Sequence, residues 1–147
     1  MDKPFTDGWR GRIGLVATAP GNATEADFNR YRPAGVAVLT TRTPLTASTP
    51  EGIREMNRFV DDAAALLAQN AYCDVVLLSS TAGSFVDGRA AALAHAQTLS
   101  LEIGAQVITS AECMLQALQA LRAKRVTLVT PSSPELNRAE HACLLYT

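Results

Sequence analysis

Apolar runs of strand length alternate along this chain with segments in which apolar residues recur at helical spacing. The strand-length runs cover residues 13–18, 35–41, 74–80, 105–109 and 125–130. The longest helical segment, residues 50–69, carries one apolar stripe, made of Ile53, Met56, Phe59, Val60, Ala63, Leu66 and Leu67. This alternation is typical of βαβ units, which place parallel strands in one sheet. We therefore predict an α/β fold, a doubly wound Rossmann- or flavodoxin-like parallel sheet of four to five strands between two helical layers.

The length of the chain fits one such domain. Its 147 residues lie in the usual range for a single domain, so residues 1–147 are expected to form one α/β lobe. Shorter helices are predicted over residues 25–31, from the end of loop 81–88 to Glu102, and over 110–122. A last helical pattern begins at residue 134 and reaches residue 147 without a capping glycine, which indicates that residues 134–147 are the start of a truncated terminal helix.

Charge and hydropathy argue against nucleic-acid and membrane partners. Thirteen Lys and Arg against fourteen Asp and Glu give a net charge of -1 without a basic stripe, whereas nucleic-acid binders carry basic patches. No apolar stretch approaches the roughly 20 residues that span a bilayer, and the N-terminus lacks a signal-peptide pattern. The expected location is the cytoplasm.

The cysteines and histidines do not form a recognisable metal site. Cys73, Cys113 and Cys143 are an odd, widely spaced set without a C-x-x-C motif, which favours reduced thiols in a cytosolic protein. His95 and His141 lie in helical patterns without a second ligand at useful spacing, so we interpret them as solvated helix positions. We expect neither a metal nor a cofactor.

Small hydroxyl residues follow nearly every predicted strand, within residues 18–22, 40–41, 79–84, 109–110 and 130–133. In open α/β sheets ligands bind beyond the carboxyl ends of the strands. Hydroxyls, backbone N–H groups and helix N-termini can together hold a small carboxylate or phosphate without Lys or Arg. The alternative interpretation is that these residues only cap helices and form turns.

Three standard motifs match poorly. Residues 83–90 have the glycine spacing of a P-loop, but Arg89 and Ala90 replace the required Lys and Ser or Thr. Gly11 and Gly14 precede or enter the first strand, where a dinucleotide fingerprint would follow it. Ser80 and Ser84 lack the Gly-x-Ser-x-Gly pattern of a hydrolase elbow. Residues 18–24 are loosely similar to a flavodoxin phosphate loop, so an FMN carrier stays an alternative.

Taken together, several segments resemble the Asp/Glu racemase superfamily, in particular its maleate isomerase and arylmalonate decarboxylase branch. The matching residues are 12–16 with Pro20 and Asn22, 74–76 with 79–85, 108–111, and 124–131 with 135–137. The resemblance spans almost the whole chain. It implies a protein of two similar α/β lobes with the active site between them, of which this chain resembles the first.

The resemblance also implies a site. Ser80 takes the slot of the family's first catalytic cysteine, as in the decarboxylases, which carry a small residue there. Thr81 and the backbone around Ala82 are the expected carboxylate-binding positions, and Asn22 matches a substrate-binding asparagine. Ser132 aligns with a substrate-contacting tyrosine, so that contact is changed. A serine without a base is a poor nucleophile, and the cysteine of the second lobe is missing.

The resulting hypothesis is a lobe of a cofactor-independent isomerase, racemase or decarboxylase that acts on small dicarboxylates. It is expected to be incomplete or inactive alone and to self-associate through the face that would meet a second lobe. The alternatives are a non-catalytic module that binds small anions and the FMN carrier.

Overall fold

Four parallel strands form the centre of the fold in the computed structural model, which describes residues 6–144. Along the sheet their order is β2-β1-β3-β4. The strands are β1 (Gly11–Thr18), β2 (Val36–Thr43), β3 (Val75–Leu78) and β4 (Gln106–Thr109). Over the described residues the α-helices are α1 (Ala23–Tyr31), α2 (Pro50–Asn57), α3 (Val60–Ala65), α4 (Thr81–Phe85), α5 (Arg89–Ile103), α6 (Ser110–Ala120) and α7 (Pro134–Leu144), and a π-helical turn, Leu66–Asn70, follows α3. The predicted doubly wound α/β class is confirmed.

Alternating side chains of the strands pack into two separate cores. In β1, Leu15 and Ala17 pack on one face of the sheet with Phe28 of α1 and Cys113 of α6. Val16 points to the opposite face, whose core is completed by α3, the π-helical turn and α5. The sheet therefore lies between two helical layers, as the continuous apolar strands predict.

The helix predicted over residues 50–69 is broken in the structure. The N–H groups of Arg58 and Phe59 donate to carbonyls three residues earlier, which tightens the turn between α2 and α3. The apolar stripe is divided: Ile53 and Met56 pack with Leu136 of α7, and Val60, Ala63 and Leu67 pack on the sheet. Phe59 and Leu66, predicted to be buried with them, are about half exposed. A straight helix cannot face both surfaces, so the prediction of one helix was wrong.

The fifth strand predicted over residues 125–130 is also absent from the described structure. None of its backbone groups has a backbone hydrogen-bond partner within residues 6–144. Val126 is 53% and Val129 88% exposed. Strand propensity here is high, but a strand forms only where a neighbouring strand pairs with it, and β4 remains the sheet edge.

A short helix replaces most of the loop predicted over residues 81–88. This helix, α4, begins directly after β3 and crosses the carboxyl edge of the sheet. Phe85 at its end is 1% exposed and packs with Ala111 and Leu115 of α6 and with Cys143 of α7. Helices α2, α6 and α7 thus all pack around α4, which makes it the central element at this edge.

Candidate functional site

Hydroxyl groups at the carboxyl ends of the strands bind the backbone of neighbouring elements. Ser79 Oγ donates to the Val16 carbonyl at 3.0 Å and joins the end of β3 to β1. Ser110 Oγ donates to the Leu78 carbonyl at 3.0 Å and joins the start of α6 to β3. Thr109 caps α6 through its side-chain oxygen. Thr109 therefore caps a helix, as the alternative interpretation expects, whereas Ser79 and Ser110 join elements that are distant in sequence.

The N-terminus of α4 combines a side-chain cap with two uncapped amides. Ser80 is the N-cap, and its Oγ accepts the Gly83 N–H at 3.0 Å. Ser84 donates its N–H and its hydroxyl to the Ser80 carbonyl. The N–H groups of Thr81 and Ala82 donate to no protein oxygen among the described residues. These two amides occupy the helix positions that commonly receive an anion.

Within residues 6–144, no base is hydrogen-bonded to the Ser80 hydroxyl. His95 lines the same small cavity as Ser80, but no hydrogen bond joins the two side chains. Instead, His95 Nε2 lies 2.7 Å from Asp61 Oδ1 in an exposed hydrogen bond between α5 and α3. The histidine is exposed, as expected, and it ties two helices together, so the geometry supports no serine nucleophile.

Asn22 lies at the N-cap position of α1, on the loop after β1. Its side chain is exposed and forms no capping hydrogen bond. The loop is held by Arg42 of β2, whose Nη1 donates to the carbonyls of Gly21 at 2.8 Å and Thr18 at 3.1 Å. Arg42 Nη2 binds Glu25 of α1 at 2.6 Å. The backbone that carries Asn22 is therefore fixed, while its amide faces solvent.

Ser132 lies on the segment that leads into α7. Its N–H donates to Thr130 Oγ1 at 2.8 Å, and its carbonyl accepts from the Asn137 side chain at 3.2 Å. Leu136 of the same segment is buried with Ala82 of α4 packed against its cluster. This packing brings the start of α7 to the N-terminal half of α4.

The structure thus brings most of the predicted site residues to one edge of the sheet. Ser80, Thr81 and Ala82 share one helical turn. Ser132 precedes α7, and Leu136 of α7 packs against this turn at Ala82. Asn22 follows β1, the direct neighbour of β3, so the two loops emerge side by side from the carboxyl ends of adjacent strands. Of the five residues, Ser80 alone lines the small cavity behind α4.

That cavity is small and partly open to solvent. Its volume is about 40 Å³, which is room for a few water molecules. Its lining is rich in polar side chains, among them Thr43, Asn57, Ser79, Ser84 and Thr109. The enclosed volume by itself therefore does not mark where a diacid would bind.

Burial keeps both thiols near this edge protonated. Cys113 is partly buried against the core that contains Leu15, and burial, with a smaller contribution from Glu112, raises its pKa. Cys143 is 4% exposed, and burial is the main cause that raises its pKa as well. A reactive thiol needs a lowered pKa, so neither cysteine is an activated acid–base group.

The loop 18–24 lacks the features of a phosphate loop. Its Ala19 N–H donates to the Thr43 carbonyl and its Gly21 N–H to the Thr18 carbonyl. Two amides that a phosphate would need are therefore occupied, which argues against the FMN carrier. Over residues 6–144 no cluster of His, Cys, Asp and Glu side chains is placed to hold a metal ion. Nor does any helix in that range have the length and hydrophobicity needed to cross a bilayer.

Two residues of this edge were missed by the sequence reasoning. Arg42 interrupts the threonine-rich end of β2. A charged side chain at a strand end was a signal that carbonyl or carboxylate oxygens lie close to it. Asn57 lies at the end of α2 and donates to the Gly83 carbonyl of α4 at 3.2 Å. No local pattern marks Asn57, because its partner lies 26 positions away.

Solved structures match nearly all of this chain, although no family model and no curated protein matches it. A liganded double mutant of arylmalonate decarboxylase is 30% identical with a TM-score of 0.82, over 92% of this chain and 57% of that one. The predicted resemblance is confirmed. A mutant of the maleate cis-trans isomerase of Nocardia farcinica, which holds a covalently bound succinylcysteine intermediate, is 30% identical with a TM-score of 0.74, over 90% of this chain and 57% of its own.

A maleate isomerase from Pseudomonas putida, solved with maleate, supports the fold. It is 21% identical with a TM-score of 0.78, over 92% of this chain and 59% of its own length. The chain thus spans somewhat more than half of the solved structures that it matches. Its structural neighbours are isomerases and decarboxylases of one superfamily, and it has the α/β fold of an isomerase- or decarboxylase-like lobe.

Proposed function

We propose that this chain is the first, substrate-holding lobe of a cofactor-independent isomerase, racemase or decarboxylase acting on small dicarboxylates. The observation that carries the proposal is the pair of uncapped amides at the start of α4, in a chain 30% identical to a liganded arylmalonate decarboxylase. The maleate bound to the Pseudomonas putida isomerase indicates the size and charge of the ligand class.

In this proposal the Thr81 and Ala82 N–H groups donate to one carboxylate of the substrate. The helix N-terminus adds positive potential, so no Lys or Arg is required. The Thr81 hydroxyl and the Asn22 amide can donate to the same group or to the second carboxylate, and Ser132 borders the site beside α7. Such donors become most effective when charge develops on the carboxylate, as in an enediolate.

Ser80 has a binding role and no nucleophilic one. Its hydroxyl oxygen accepts the Gly83 N–H, which fixes the turn whose amides bind the substrate. Its proton can still be donated to a ligand. Neither Cys113 nor Cys143, whose pKa values are raised, is an activated thiol, and in this proposal the lobe binds diacids and does not turn them over alone. In the absence of a second lobe it acts as a small-anion binding module.

Self-association is part of the proposal. The segment 125–130 exposes Val126 and Val129 beside α7, and its backbone donors and acceptors are available for pairing. An exposed strand-like segment with unpaired backbone groups is a template for association with another chain. We expect a second copy to cover this face.

Isothermal titration with maleate and with an arylmalonate tests the binding function, and two substitutions at one residue make the test specific. Thr81→Val removes the hydroxyl and keeps the N–H, whereas Thr81→Pro also removes the N–H. Proline is well tolerated at the first position of a helix, and the extended Ser80 suits the residue before it. We expect Thr81→Pro to bind about tenfold more weakly than Thr81→Val. Absence of diacid binding by the unmodified chain would overturn the proposed function, and equal affinities of the two variants would overturn the amide cradle.

A further inference from the structure

Helix α2 contacts α4 and the residues just after it through two side chains. At the N-terminal half of α4, Asn57 Nδ2 donates to the Gly83 carbonyl at 3.2 Å. At the other end, Arg54 Nε lies 2.9 Å from Asp87 Oδ1, just after α4. Arg54 and Asn57 are three positions apart and therefore share one face of α2. The two contacts differ in environment, because the Arg54 pair is about half exposed whereas the Asn57 bond is partly buried.

Gly83 is packed closely against Asn57. A Cβ atom at residue 83 would lie 2.9 Å from Asn57 Oδ1 and 3.0 Å from the Cβ and Oγ of Ser80. Contacts shorter than 3.0 Å force a neighbour to move. Both neighbours also bond the Gly83 backbone. Asn57 donates to the Gly83 carbonyl, and Ser80 Oγ accepts the Gly83 N–H.

A helix as short as α4 cannot set its own orientation. Five residues are far below the length at which a helix is stable by itself, so its tertiary contacts decide where its first N–H groups point. The break between α2 and α3 ends α2 at Asn57, which leaves this amide beside Gly83. An uninterrupted helix would continue through residue 57 toward the sheet.

We propose that Asn57 is a positioning residue, which orients the Thr81 and Ala82 amides toward the substrate carboxylate by holding the Gly83 peptide. The expected effect of Asn57 on diacid binding rests on the proposed function. Its effect on α4 itself is independent of any ligand. Asn57 touches no substrate in this arrangement and acts through Gly83 alone.

The test combines Asn57→Ala with a matched control on the same helix, Arg54→Met. The first readout is amide hydrogen exchange by NMR in the full chain without ligand. Asn57→Ala is expected to speed exchange at Gly83 and Ser84, while Arg54→Met leaves both unchanged. The second readout is maleate affinity, measured by isothermal titration. Asn57→Ala should bind maleate about five- to tenfold more weakly than the unmodified chain, and Arg54→Met should bind it equally well. If Asn57→Ala does not fold, the isosteric Asn57→Asp, which cannot donate to the Gly83 carbonyl, replaces it.

A double-mutant cycle separates positioning from general loosening. Gly83→Ala forces its methyl group against Asn57 Oδ1 and should weaken maleate binding about tenfold. In the Asn57→Ala background that collision disappears, so the double variant should lose less than the product of the two single losses. Simple additivity, unchanged exchange at Gly83 and Ser84, or equal effects of Asn57→Ala and Arg54→Met would each overturn the positioning role. If the chain binds no diacid, the proposed function fails, and hydrogen exchange still decides the role of Asn57.

Discussion

Arg42 Nη2 lies 2.6 Å from Glu25 Oε2 and so links the end of β2 to the first turn of α1. Between them runs the loop that carries Asn22, and the other terminal nitrogen of Arg42 donates to the carbonyls of Thr18 and Gly21. A guanidinium offers several donors in a planar arrangement, which suits a loop with several inward carbonyls. Arg42 therefore holds the loop together with the backbone bonds of Ala19 and Gly21.

Arg42→Met is expected to loosen this loop while the sheet stays folded. The substitution keeps the aliphatic stem and removes all the donors, so hydrogen exchange at Gly21 should accelerate. Global stability should fall by about 1 kcal/mol, because the ion pair is more than a third exposed and such pairs contribute little. Glu25→Gln, which leaves the carbonyl bonds in place, is the control and should change exchange far less. Equal exchange in both variants would show that the carbonyl bonds do not hold the loop.

Phe85 anchors α4 in the core. It is 1% exposed among residues of α6 and α7, so Phe85→Ala should cost about 3–5 kcal/mol in unfolding free energy, and Phe85→Leu about 1 kcal/mol. Urea denaturation measures both. Leu101→Ala is the control, because Leu101 is 87% exposed on α5 and should change stability by no more than about 0.5 kcal/mol. A Phe85→Ala cost as small as the control's would contradict the anchoring role.

Glu140 makes the stability of the chain depend on pH. The residue is 8% exposed on α7, and burial raises the pKa of its carboxyl group. The folded state then binds more protons than the unfolded state between the ordinary and the raised pKa, so this group's contribution to stability declines as pH rises through that interval. Glu140→Gln cannot ionise and should be more stable than the unmodified chain at pH 7.5. The difference should shrink toward pH 4, because the Glu140 carboxyl becomes increasingly protonated as pH falls.

Urea denaturation of both proteins at the two pH values provides this measurement. The comparison cancels the effects of all other titrating groups, because they are shared. A stability difference that is the same at pH 4 and pH 7.5 would show that the Glu140 charge is not the cause.

Val129 marks the surface through which copies of the chain are proposed to associate. It is 88% exposed, so Val129→Lys should not disturb the fold. The added charge opposes burial of this face, and light scattering should show a smaller mean mass than for the unmodified chain. Leu101→Lys, at an equally exposed position on α5, is the control and should leave the mass unchanged. A clean monomer for the unmodified chain would contradict the proposed self-association.

Much of the site could be anticipated from sequence because strand ends are local features. Residues 79–84 directly follow an apolar strand, and parallel strands place their carboxyl ends at one edge. The resemblance to the superfamily then selected Ser80, Thr81 and Ala82 within that stretch. Whether a given hydroxyl caps a helix, as at Ser80, or joins neighbouring strands, as at Ser79, depends on which carbonyl or amide lies within 3 Å, and no local pattern encodes that.

Sequence by itself determined the class of fold and the order of its main elements. The spacing of apolar residues reports local geometry, and continuous apolar strands require cover on both faces of a sheet. Only the tertiary structure decided that the chain breaks after Asn57, that residues 125–130 stay unpaired, and that Arg42 holds the loop of Asn22. Two of these involve a partner far along the chain, 26 positions for Asn57 with Gly83 and 21 for Arg42 with Gly21, and the third reflects a partner that is missing within residues 6–144. A strand or a hydrogen bond needs that partner in place before it exists, so propensity alone could not specify them.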